Sequence, residues 1–187
     1  GKLYSADFYF GHDLNQQRKS LNSYAFDVSQ GGCWLDVSSH ELAVIHKLIP
    51  GKYQGLSYSL GENRYAFKDE VAKAVFKVDD KVLISLSMDL LSKVRRRGCV
   101  VVGEKGVFEW QEVGKPSQVS VRLHYSNDFF DTLYPVGSKS MFEKQAESFL
   151  RFCKNEIENF YPLKDVISTT EEIFKYKKNV VTYESGI

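Results

Sequence analysis

Several common kinds of site are missing from this sequence. Its three cysteines, Cys33, Cys99 and Cys153, lie far apart and form no Cys-x-x-Cys pair, which excludes a zinc ribbon and a dithiol redox motif. No apolar run approaches the roughly 20 residues that a membrane helix needs. The opening Gly1-Lys2-Leu3-Tyr4 does not have the charged-then-apolar form of a secretory leader. The expectation is therefore a cytoplasmic protein with reduced thiols and no membrane partner. Charge of one sign is lacking too: 25 Lys and Arg stand against 24 Asp and Glu, a net +1. That balance gives a nucleic acid no broad basic footprint. The one basic cluster, Lys93, Arg95, Arg96 and Arg97, reads as a solvated strand edge or as an anion contact in a substrate pocket. There is no Gly-x-Gly-x-x-Gly, no internal repeat and no low-complexity stretch.

The residues that are plentiful suit a packed sheet. Hydrophobic residues make up 43% of the 187, with 13 Phe and 11 Tyr, enough for the core of one domain spanning 1–187. Leu3 to Phe10 reads as a strand that stops at Gly11, followed by a long polar loop to Gln30. From Cys33 to Ile49 the period is helical, with Val37, Val44 and Leu48 on one stripe and Leu42, Ile45 and Ile49 beside it, until Pro50-Gly51 stops it. The period then changes to two. Ala74, Phe76 and Val78 face Val82, Ile84, Leu86 and Met88 across Asp79-Asp80-Lys81, which predicts a hairpin. A second hairpin joins Cys99–Val102 to Val107, Phe108 and Trp110 through Gly103-Glu104-Lys105-Gly106, and Val119 to Tyr125 gives another strand. Phe142, Ala146, Phe149, Leu150, Cys153 and Ile157 form the stripe of a late helix, and a last helix begins near Pro162. This order predicts an α+β fold: an open, mainly antiparallel sheet with helices packed on one face. The other face needs cover, and a second copy of the chain is the natural cover.

Chemistry concentrates in Gly31-Gly32-Cys33-Trp34-Leu35-Asp36-Val37-Ser38-Ser39-His40-Glu41-Leu42. Asp36 and His40 are four residues apart at a helix start, which places them on one face about one turn apart. An imidazole relays protons near neutral pH, and a carboxylate beside it orients it and favours its charged form. Together they can take a proton from a hydroxyl. The same spacing also arises by chance, as an Asp favoured by the helix dipole next to an unrelated His. A metal site needs a third ligand, and His12, His46 and His124 have no telling spacing towards the pair.

This segment resembles the GG-x-x-x-D-x-x-x-H signature of the Gfo/Idh/MocA oxidoreductases, the glucose–fructose oxidoreductase and inositol dehydrogenase family. Gly1-Lys2-Leu3-Tyr4 is similar to the family's first strand after its linker. Val100 to Trp110 is similar to its x-x-x-G-x-x-G-x-x-x-W hairpin, and Phe142 to Phe152 to its late helix. The resemblance implies the C-terminal half of such an enzyme, an open sheet of the dihydrodipicolinate-reductase-like kind that binds the substrate and builds the subunit interface. It implies His40 as the acid/base at the reacting hydroxyl and Asp36 as its partner, and it makes His12, Asn15 and Arg18 of the polar loop candidate substrate contacts. The implied substrate is a sugar or sugar nucleotide, and the implied cofactor of the full-length parent is NAD or NADP. The family's dinucleotide-binding domain, with its glycine fingerprint and Glu-Lys-Pro lysine, has no counterpart here, so no cofactor is expected on this chain alone. The expectation is a domain of a longer enzyme. The alternative is a non-catalytic pairing domain that keeps only the fold.

Overall fold

The computed structural model describes residues 1–14, 32–61, 69–113, 118–126, 128–135 and 138–157, with isolated positions at 167, 170, 171 and 175. Strand β1 (Leu3–Asp13) comes first. A π-helical turn (Cys33–Val37) then leads directly into helix α1 (Ser38–Leu48). Seven further strands follow: β2 (Tyr53–Gly61), β3 (Val71–Val78), β4 (Val82–Asp89), β5 (Leu91–Gly103), β6 (Gly106–Val113), β7 (Gln118–Tyr125) and β8 (Phe129–Pro135). Helix α2 (Ser138–Cys153) comes after them. The strands form one eight-stranded sheet in the order β2-β3-β4-β1-β5-β6-β7-β8. Every neighbouring pair is antiparallel except β1 and β4, which run parallel from Ser5↔Leu83 to Gly11↔Asp89. The parallel pair arises because the chain leaves β1, crosses through α1 and returns beside β1 only after the β2–β3–β4 meander.

Alternation along the strands sets the two faces. Phe8 and Phe10 of β1, Phe76 of β3, and Ile84, Leu86 and Met88 of β4 all point to one side and are buried. Cys33, Trp34, Val37, Leu42 and Ile45 of the π-turn and α1 close over them. Each large side chain contributes about 1.5–3 kcal/mol by leaving water. The β3–β4 turn keeps Asp79 and Asp80 at φ 48° and 56°, the left-handed conformation that Asp tolerates and that matches strand twist. The opposite face carries polar side chains: the Ser85 hydroxyl donates to Asp7, and Arg122 lies 3.1 Å from Asp131 and 3.9 Å from Glu109.

The structure corrects the sequence expectations at several points. β1 does not stop at Gly11 but runs on to Asp13. Gly11 serves close approach instead: a Cβ there would lie 2.7–2.8 Å from the Asp89, Ser92 and Arg96 side chains. On α1, Leu48 is 52% exposed and Glu41 is buried in the stripe. The helical period is shifted because a π-turn precedes it. β2 and β8 were not foreseen. α2 forms, but Phe142, Phe149 and Leu150 of its stripe are exposed, so it is α1 that covers the sheet face. The helix expected from Pro162 lies outside the described residues, apart from isolated helical positions.

Candidate functional site

The candidate residues gather where β1 leaves the sheet and α1 enters it. β1 ends at His12-Asp13, and the next N–H, of Leu14, donates to the Leu90 carbonyl at 3.1 Å. The described chain resumes at Gly32 with φ 84°. A side chain at Gly32 would strike the Asp69 carboxylate, 2.6 Å from a Cβ. Asp69 fixes the helix start. Its carbonyl accepts from the Cys33 N–H at 2.8 Å, and its carboxylate accepts from the Trp34 N–H at 3.0 Å. This meets two of the orphan donors that every helix start presents. Trp34 is locked edge-on against Tyr58, ring centroids 4.5 Å apart.

Asp36 sits half-buried on the π-turn, where its carbonyl accepts from the Ser39 hydroxyl at 3.1 Å. His40, one turn later, is exposed, and among the described residues no hydrogen bond or ion pair engages its ring. The next residue does the opposite: Glu41 is 1% exposed and pairs with Arg97 of β5 at 2.9 Å. Burial pushes the Glu41 carboxyl above its usual range, and the Arg97 guanidinium opposes that. Arg97 also lies over the Trp110 ring at 5.7 Å and 3.7 Å from Glu112. This clamp and the Asp69 anchor fix the rotation of α1, and with it the direction in which Asp36 and His40 point.

His12 is buried at 8% exposure, edge-on to Phe10 with centroids 5.1 Å apart, and among the described residues neither ring nitrogen has a hydrogen-bond partner. Burial lowers its pKa below the ordinary imidazole value, and the Arg95 charge lowers it further. Asp36, Asp89 and Asp13 pull the other way. The structure thus sets the Asp36 charge against His12, an association that sequence spacing does not suggest. Asn15 and Arg18 lie outside the described residues. Asp69, Glu41 and Arg97 were not foreseen as parts of this site. No local motif marks Asp69, which lies 35 residues from its partner Trp34.

The basic run on β5 resolves into ion pairs. Lys93 pairs with Asp13, Arg95 with Glu112 at 2.7 Å, Arg96 with Asp89 at 2.7 Å and Arg97 with Glu41. Burial alone would raise the Asp89 carboxyl, but Arg96, Ser92 and two backbone N–H groups hold it below the usual range. The cluster therefore fastens β5 to its neighbours. Three open clefts, of about 240, 410 and 450 Å³, lie along the sheet away from Asp36 and His40. Among the described residues no three His, Cys, Asp or Glu side chains are placed to hold a metal ion, and no helix is long and apolar enough to cross a membrane. Nor do the described residues fit a dinucleotide: the Gly103–Gly106 turn joins two antiparallel strands, not a strand to a helix N-terminus that could take a pyrophosphate.

The fold has known counterparts. An oxidoreductase assignment from Thermotoga maritima superposes with a TM-score of 0.75 at 19% identity, over 97% of this chain and 54% of that one. The 3-ketoreductase KijD10 from Actinomadura kijaniata, in complex with NADP and TDP-benzene, superposes with a TM-score of 0.70 at 15% identity, over 92% of this chain and 51% of that one. An NADPH-dependent oxidoreductase assignment from Desulfitobacterium hafniense gives a TM-score of 0.73 at 11% identity, over 93% and 53%. The chain therefore spans about half the length of these structures. No curated protein sequence matches it. The GFO/IDH/MocA C-terminal domain model matches residues 1–109, more than half of the chain, and the chain belongs to that family.

Proposed function

We propose that residues 1–187 form the single substrate-binding and oligomerisation domain of an NAD(P)-dependent oxidoreductase acting on a hydroxyl of a sugar or sugar nucleotide. The observation that carries this reading is the rigid presentation of Asp36 and His40. Asp69 pins the helix start, Glu41–Arg97 fixes its rotation, and His40 is left exposed without a partner among the described residues. In this reading His40 accepts or returns the substrate hydroxyl proton, with Asp36 its partner one turn earlier on the same helix start. His12, Asn15 and Arg18 border the substrate. The redox chemistry belongs to a cofactor held by another domain. The family match and the NADP and TDP-benzene bound to KijD10 support the substrate and cofactor classes. Self-association through the polar face of the sheet completes the proposal.

The test uses the full-length reading frame that encodes this chain. His40→Ala should cut turnover of sugar-nucleotide substrates by ~100-fold or more, with binding of NAD(P)H, followed by its fluorescence, unchanged. An unaltered turnover number would remove His40 from the chemistry and leave a pairing domain.

A further inference from the structure

The two edges of the sheet are built differently. At one edge, β2 is broken by a register shift between Gly55 and Ser57 and carries Ser57, Ser59 and Gly61. A bulge and small polar residues are common ways to blunt an edge against pairing. At the other edge β8 has no bulge, and Thr132 is its one small uncharged polar residue. Its pairing with β7 is regular from Gln118↔Pro135 to His124↔Phe129. It carries no lysine, and its one charge, Asp131, is held by Arg122 at 3.1 Å. Both of its faces are apolar. Phe129 and Leu133 lie on one side and Phe130 and Tyr134 on the other, all 46–56% exposed.

We infer that β8 is a self-recognition edge: it pairs antiparallel with β8 of a second copy across a two-fold axis at Thr132, so that the sheet continues from one chain into the next. Register singles out this occupant. With Thr132 opposite Thr132, Phe130 meets Tyr134 of the other copy twice, Phe129 meets Pro135, and Asp131 meets Leu133. The aromatic cross-strand pairs are favourable, no like charges stand directly opposite, and an isologous contact closes at two copies. The area sets its strength. Large aromatic side chains bury about 150–250 Å² each. Three half-exposed ones, Phe129, Phe130 and Tyr134, therefore contribute roughly 450–750 Å² over both copies, and with Leu133 added the total still falls short of the ~1,200–2,000 Å² of a stable interface. The edge thus gives a reversible, concentration-dependent dimer, separate from association through the sheet face.

Disulfide trapping tests the register. Opposed residues of an antiparallel pair have Cα atoms about 4.5 or 5.5 Å apart, within disulfide reach. Cys33 and Cys99 are buried, so Cys153→Ser removes the exposed native thiol. In that background Thr132→Cys should cross-link to dimer under mild oxidation at least about tenfold faster than Asp131→Cys, whose own equivalent lies only on the diagonal. Sedimentation velocity should show a dimer of the unmodified chain that grows with concentration, and Phe130→Lys should abolish it. Equal cross-linking at 131 and 132 would overturn the inference. So would a dimer indifferent to Phe130→Lys, since the copies would then meet through the sheet face. All four substituted side chains lie at least partly exposed, so the fold should tolerate the changes.

Discussion

Replacing His12 by Leu should leave the domain at least as stable as the parent at pH 7.5, and should flatten its response to acid. The imidazole is buried, and among the described residues neither nitrogen has a hydrogen-bond partner. A buried polar group in that condition costs about 1–3 kcal/mol, whereas an apolar group of similar shape carries no such penalty. A near-isosteric swap adds less than about 1.5 kcal/mol of packing strain. The balance is a gain of up to about 2 kcal/mol, or some 2–4 °C in Tm per kcal/mol for a chain of this size. The pH arm has a definite sign. Burial and Arg95 depress the folded-state pKa, so the unfolded chain takes up the proton first as the pH falls. The stability tied to neutral His12 is complete above the unfolded value near 6.5. It is lost as the pH drops from there through the lowered folded value, at up to about 1.4 kcal/mol per pH unit. Urea unfolding of both proteins at pH 7.5, 6.5 and 5.5 measures the two slopes. If His12→Leu loses more than about 2 kcal/mol at pH 7.5, or shows the same acid slope as the parent, the imidazole has partners and the reasoning fails.

Two further substitutions probe the frame around the site. Arg97→Ala strands the Glu41 carboxylate in the core and should cost about 3 kcal/mol or more at pH 7.5. The loss should shrink as Glu41 binds a proton at lower pH, and adding Glu41→Leu should recover most of it; urea midpoints across pH test both. Gly98→Ala would put a Cβ 2.3 Å from the Trp110 carbonyl oxygen and 2.6 Å from the Tyr9 hydroxyl. Because the first obstacle is backbone, the β5–β6 ladder must shift, and thermal unfolding should register a loss of about 1–3 kcal/mol.

How far the sequence could be read depended on how local each signal was. The β3–β4 hairpin was legible because alternation and turn chemistry agree: Ile84, Leu86 and Met88 are buried as their spacing predicts, and Asp79-Asp80 makes the turn. The Cys33–Leu48 helix was legible from its period and its Pro50-Gly51 stop. β2 was not, because Gly55, Ser57 and Ser59 have little strand propensity and the strand exists through its pairing with β3. Gly11 was misread because a glycine that ends a strand and one that admits neighbouring side chains look alike in one dimension. In the site, Asp36 and His40 announce themselves by spacing within one helix start. Asp69 and Arg97, which hold that helix, act through β-strand register and sequence separation that no local pattern encodes.

Several departures from local rules gather at the β1–α1 junction, and they support the proposal that this junction is the functional one. Over most of the sheet, sequence period, turn residues and burial agree, as they do in a fold selected for stability. At the junction they disagree together. Gly32 adopts φ 84° against a carboxylate, residues 33–37 wind as a π-turn, His12 is buried with no hydrogen-bond partner among the described residues, and Glu41 is a core carboxyl with a raised pKa. π-Turns, positive-φ backbone and unmatched polar groups each cost stability and each recur at functional sites. Four of them around one helix start, beside an exposed His40, support the proposed reading in which the geometry of this region is kept for what it binds.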